Sequence, residues 1–132
     1  RASLDGLERE VAAALAPARG KPYAVFHDAY RYFAHRFGLE PGLPISLSPE
    51  VAPSAKRLAE VRAALKSASS VCVFTEPFAN PAVIAAVTEG TSAKGGTLDP
   101  EGLSVAPGMD AYAATLRGLA KGFNECFGAR GP

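Results

Sequence analysis

The sequence has almost no net charge and no long apolar run. Its 14 basic and 13 acidic residues give a net charge of +1 over 132 residues. This balance excludes the concentrated positive charge with which proteins bind nucleic acids or anionic membrane surfaces. No apolar run approaches the roughly 20 residues that a membrane-spanning helix requires. We therefore expect a chain that neither binds nucleic acid nor spans a membrane.

The first residues carry no signal-peptide pattern and no initiator methionine. We expect the chain to be a mature or truncated piece, so the missing signal leaves its compartment open. The 48% hydrophobic and 20% charged residues are typical of one globular domain of this length.

Helix and strand patterns alternate along the chain. Asp28 and Gly38 are predicted to cap and end one helix, Pro53 to open another, and Asn80 with Pro81 to begin a third. The last helix has an apolar stripe that begins at Tyr112. Strands are predicted at about 22–26, 44–47, 71–74 and 94–98. This alternation predicts an α/β fold: a single Rossmann-like lobe whose four-stranded, mostly parallel sheet is flanked by helices on both faces.

Two candidate metal ligands follow predicted strands. His27 comes directly after the first strand and Asp99 after the fourth. Because open α/β sheets bind ligands at the carboxyl ends of their strands, we expect both side chains at that edge. An imidazole and a carboxylate suit a transition metal such as zinc. A single histidine at a strand end is more often structural, so the residues alone leave both interpretations open.

Other polar residues give weaker indications of a site. His35 lies on the polar side of its helix, where a solvated side chain is the simpler interpretation. Glu76 follows the third strand and could be catalytic, although a residue in this position more often caps a helix or forms an ion pair. No serine or cysteine has the sequence context of a nucleophile elbow, and no phosphate-binding loop is present. An enzymatic function is therefore poorly supported.

The two cysteines allow two interpretations. Cys126 falls on the apolar stripe of the last helix and Cys72 on a predicted strand, so a buried disulfide is the simpler one. A zinc site made of both cysteines and a histidine is the alternative.

Several motifs together resemble one known family. The chain is similar to the zinc-uptake ABC transporter substrate-binding proteins, the ZnuA family, from about Leu4 to Phe127. The motifs that carry the resemblance are Lys21–Tyr30 with Tyr32 and Phe33, Ser48–Val51 with Pro53, Val71–Pro77 with Pro81, and Gly96–Pro100.

The resemblance implies a two-lobed periplasmic protein that holds zinc between its lobes and delivers it to the membrane permease of an ABC importer. Residues 1–20 would end the connecting helical segment, and 21–132 would form the C-terminal metal-binding lobe. His27 matches this lobe's zinc ligand, and Asp99 matches a carboxylate ligand position of metal-binding relatives. Two further histidines would come from the other lobe.

The resemblance also implies a Cys72–Cys126 disulfide, which favours the oxidising periplasm. A histidine rather than a carboxylate at position 27 favours zinc over manganese. The expected protein is not an enzyme. The alternatives are a metal-binding surface lipoprotein or adhesin of the same fold, and a small α/β metallohydrolase.

Overall fold

The structure is a computed structural model that describes residues 2–46, 51–67, 71–77, 79–99, 102, 108 and 110–127. Within them, helices and strands alternate as the sequence predicts. No helix in this part of the chain is long and apolar enough to cross a bilayer. The elements are α1 (Ala2–Ala14), a 3₁₀ turn (Ala16–Ala18), β1 (Tyr23–His27), α2 (Arg31–Phe37), β2 (Leu43–Ser46), α3 (Ala55–Ser67), β3 (Cys72–Thr75), α4 (Pro81–Thr88), β4 (Lys94–Thr97) and α5 (Ala111–Phe127).

The four strands form one parallel sheet in the order β2-β1-β3-β4. All three strand pairs are parallel, so every carboxyl end lies at the same edge. The register pairs Val25 with Pro44 on one side and with Phe74 on the other. The prediction of a four-stranded α/β lobe is confirmed.

The sheet separates two hydrophobic cores. Alternate residues of β3 are buried in opposite cores: Cys72 and Phe74 pack in the first core, and Val73 packs in the second. This period of two is what a strand buried on both faces requires. Helices α1, α2 and α5 cover the first face, and α3 and α4 cover the second. The predicted helices on both faces are therefore confirmed.

Two of the predicted helix ends have the expected geometry. The Asn80 side chain accepts a hydrogen bond of 2.9 Å from the backbone N–H of Ala82 and so begins α4. Gly38 ends α2 with φ of 70°, a left-handed conformation that glycine adopts without steric cost.

Other predicted ends were wrong. Helix α2 begins at Arg31 rather than after Asp28, because the Asp28 carboxylate pairs with the Arg31 side chain at 2.6 Å instead of capping the backbone. Helix α3 begins at Ala55, two residues beyond Pro53. Tyr112 was expected on the buried stripe of α5, but it is 63% exposed in the first turn. The predicted strand residue Leu47 lies outside the described residues, as does most of 97–108.

Candidate metal centre

Three strands bring polar residues to the carboxyl edge of the sheet. His27 is the last residue of β1, Glu76 follows the last residue of β3, and Asp99 lies two residues beyond β4. Since β3 lies between β1 and β4, Glu76 stands between the two predicted ligands. The strands that carry His27 and Asp99 are two strand spacings apart, about 10 Å.

His27 and Glu76 are in direct contact. Nδ1 of His27 lies 3.0 Å from Oε2 of Glu76, and the two side chains are only 12% and 14% exposed. The contact has ion-pair distance without full hydrogen-bond geometry, and within the described residues the buried Nδ1 has no hydrogen-bond partner. Because Glu76 engages Nδ1, Nε2 is the nitrogen through which this imidazole can bind a metal.

Tyr30 supports the same carboxylate. Its hydroxyl donates a hydrogen bond of 2.9 Å to Oε2 of Glu76, and the tyrosine is only 2% exposed. Burial raises the pKa of Tyr30 far above its ordinary value, and the negative charges of Glu76 and Asp99 raise it further. The hydroxyl therefore stays protonated at neutral pH and can donate to Glu76.

Asp99 belongs to the same edge. Its carboxylate is close enough to Tyr30 to affect the pKa of that residue, and its own side chain is partly buried. The preceding residue, Leu98, is 1% exposed and donates its backbone N–H to the carbonyl of Thr75 at 2.8 Å. A buried anchor and a backbone hydrogen bond thus fix the start of the segment that carries Asp99.

The donors that the structure describes at this edge are too few to complete a zinc site. Zinc takes four ligands, and His27 with Asp99 would supply two. Among the residues that the structure describes, no three histidine, cysteine, aspartate or glutamate side chains form a group that could hold a metal ion. Within the described residues, His27 and Asp99 can offer a metal ion one nitrogen and one carboxylate group.

The cysteines are not available as ligands. Cys72 and Cys126 form a disulfide with a Cα–Cα distance of 6.3 Å. This confirms the predicted disulfide and excludes the site of two cysteines and a histidine. Cys72 is the first residue of β3, so the bridge lies toward the opposite end of the strand from Glu76. His35 is exposed on α2, as its polar position predicted.

The sequence had not identified Glu76 and Tyr30 as parts of the site. Glu76 had a usable signal, since it follows a strand directly, as His27 ends one. For Tyr30 the pattern showed only an apolar position near the start of a helix. Its hydroxyl contact with Glu76 spans 46 residues of sequence and has no local signature.

Comparisons with known proteins find relatives that are named for zinc uptake. The family model described as "Zinc-uptake complex component A periplasmic", ZnuA, matches residues 1–126. The high-affinity zinc uptake system protein ZnuA of Brucella abortus is 45% identical over 123 residues, which cover 93% of this chain and 37% of that protein. Its counterpart in Paracoccus denitrificans is 44% identical over 124 residues, 93% of this chain and 38% of the relative. These relatives are zinc-uptake proteins and not enzymes.

A solved structure extends the likeness to three dimensions. The laminin-binding adhesin of Streptococcus agalactiae superposes with a TM-score of 0.75 at 33% identity, over 93% of this chain and 46% of that one. This chain thus spans less than half the length of the proteins that it matches. The match of the family model to residues 1–126, together with 45% identity to a zinc-uptake protein, shows that this chain belongs to the ZnuA family.

Proposed function

We propose that this chain binds zinc through His27, as one lobe of a periplasmic solute-binding protein that delivers zinc to the permease of an ABC importer. The observation that carries the proposal is the position of His27. It is a mostly buried imidazole at the carboxyl edge of a parallel sheet, and its Nδ1 faces a carboxylate. Metal-binding histidines are commonly held in this way.

Asp99 is the second proposed ligand. It starts from the same edge, and its carboxylate oxygens are acceptable zinc donors. Residues 21–132 would form the metal-binding lobe, and residues 1–20 the end of the segment that connects it to a second lobe. The remaining ligands, two histidines by resemblance to the family, would belong to that second lobe. The greater length of the relatives supports this division.

Calorimetric titration with zinc tests the assignment of His27. The chain alone should bind zinc weakly, because water must fill the positions that missing imidazoles would occupy. His27→Ala should abolish that binding. His35→Ala is the matched control, since it removes the other histidine of the chain from an exposed helix position and should leave the binding unchanged. Tight binding that survives His27→Ala would refute the proposal.

Asp99→Ala, measured in the same titration, tests whether the Asp99 carboxylate contributes to zinc binding. Loss of a carboxylate that binds zinc or orients a ligand should weaken the affinity about 10- to 100-fold. The folded state should persist, because the sheet, α5 and the disulfide do not depend on this side chain. An unchanged affinity would remove Asp99 from the site and leave the proposal for His27 intact.

Location and delivery require tests in cells. The names of the relatives support a role in zinc uptake, and the disulfide is of the kind that persists in oxidising compartments. Cell fractionation should find the protein in the periplasmic fraction with no free thiols. Cross-linking in that fraction should capture the permease of a zinc importer. A reduced protein in the cytoplasmic fraction would contradict both parts.

Binding of a host protein is the second candidate function. It is favoured by one observation, the similarity to the laminin-binding adhesin of Streptococcus agalactiae. Surface plasmon resonance on immobilised laminin, with and without zinc, decides between the two. We expect no binding in either condition, and saturable binding would favour the adhesin.

A further inference from the structure

We propose that Glu76 is the positioning residue for His27, and that Tyr30 holds Glu76 in place. In this arrangement the carboxylate stabilises the proton on Nδ1 of His27 and so fixes the tautomer in which the lone pair of Nε2 is available to zinc. The proposal deepens the proposed function, on which it rests for the identity of His27 as a ligand.

Two groups that can donate a hydrogen bond lie close to one oxygen. Oε2 of Glu76 lies 2.9 Å from the Tyr30 hydroxyl and 3.0 Å from Nδ1 of His27. An ionised carboxylate has only acceptor sites, and the tyrosine hydroxyl already donates to it. An unprotonated Nδ1 would direct its lone pair against the lone pairs of the carboxylate in a mostly buried place. A proton on Nδ1 removes that repulsion and gives a charge-assisted contact.

The fold makes this contact rigid. Glu76 follows β3 directly, and β3 is hydrogen-bonded to β1, the strand that ends at His27. Both side chains therefore start from neighbouring strand ends rather than from free loops. Tyr30 lies in the short segment between β1 and α2, and its ring is buried in the first core. Sites held by packed elements keep their geometry better than sites on loops.

The first measurement needs no metal and no variant. Long-range ¹H–¹⁵N NMR of the metal-free chain at alkaline pH, where imidazoles are neutral, reports which nitrogen carries the proton. The chain has two histidines, so His35 is an internal reference for a solvated ring. We expect His27 to carry its proton on Nδ1. A proton on Nε2 of His27 would overturn the proposal outright.

The second measurement uses variants of Glu76. Glu76→Ala should remove the preference of His27 for the Nδ1–H tautomer and weaken zinc affinity about 10- to 100-fold, the usual effect of losing such a partner. Glu76→Gln keeps an acceptor oxygen without the charge, so it should restore part of both properties. The signals of His35 should not change in either variant.

The outcomes separate this proposal from the assignment of His27. If zinc binding requires His27 but neither its tautomer nor its affinity responds to Glu76→Ala, the positioning role is refuted and the ligand assignment stands. If the tautomer responds to Glu76 but His27→Ala leaves zinc binding unchanged, the ligand assignment is refuted instead. Tyr30→Phe should keep the Nδ1–H tautomer and cause a smaller loss of affinity than Glu76→Ala; an equal or larger loss would refute its supporting role.

Discussion

Gly122 is the point at which α5 touches the end of β4, and alanine there should destabilise the lobe. A Cβ atom at this position would lie 2.7 Å from the carbonyl oxygen of Thr97 and 2.7 Å from Cδ2 of Leu98. Neither atom can yield easily, since one belongs to the backbone of the sheet and the other to a fully buried side chain. The helix and the end of β4 must move apart, and such overpacking typically costs about 1–3 kcal/mol.

Gly118 is the matched control, one turn earlier on the same helix. A Cβ atom there meets nothing within 4 Å, and the residue is exposed. Alanine stabilises a helix by up to about 1 kcal/mol relative to glycine, and this contribution is the same in both variants. Gly118→Ala should therefore stabilise the protein. The difference in unfolding free energy between the two variants isolates the steric cost at Gly122, about 1–3 kcal/mol.

Urea unfolding with the disulfide intact measures this difference. For a slope of about 1–3 kcal/mol per molar, the two midpoints should differ by roughly 1 M. Thr97 and Leu98 lead directly to Asp99, so Gly122→Ala should also shift Asp99 while Gly118→Ala leaves it unchanged. Equal stabilisation by both substitutions would refute the close approach of α5 to β4.

Two further predictions concern stability. Replacing both Cys72 and Cys126 by alanine should lower the unfolding free energy by about 4 kcal/mol, because the bridge joins residues 54 apart; a loss below about 1 kcal/mol in urea would contradict this entropy argument. Burial, and to a smaller extent the charge of Glu40, raises the pKa of Tyr23 from 10.0 to about 12. Its folded pKa lies above the unfolded one, so this contribution to stability is complete below pH 10 and is lost as the pH rises through 12. Tyr23→Phe should therefore lose less stability than the native protein between pH 8 and pH 11, and equal losses in urea unfolding at the two pH values would contradict the shift.

The order of elements could be predicted from the sequence because each element carries its own pattern. The apolar run before His27 and the stripe of α5 are strong enough to place those elements within one or two residues. The start of α2 was wrong for a local reason, since Arg31 competes with the backbone for the Asp28 carboxylate. The spacing of residue types along the sequence does not reveal competition of this kind between a side chain and the backbone. The prediction that Tyr112 is buried was wrong, because periodicity identifies the buried face of a helix but not how far along the helix that burial extends.

The candidate site was predictable only in part, because strand order is not a local property. Strand ends place His27 and Asp99 at one edge of any parallel sheet that these strands form. If β1 and β4 were neighbours, the imidazole and the Asp99 carboxylate would start one strand spacing apart. With β3 between them, the first carboxylate that His27 meets is Glu76.

The position of β3 between β1 and β4 has a chemical consequence for His27. A carboxylate on Nδ1 raises the basicity of the opposite nitrogen and fixes the direction in which the ring presents it. The strand order therefore makes Glu76 the partner of His27, the proposed zinc ligand. It also separates β4, the strand that leads to Asp99, from β1 by two strand spacings, about 10 Å. An ion held by both proposed ligands would therefore lie between the ends of β1 and β4, where the proposed second lobe would supply its own ligands.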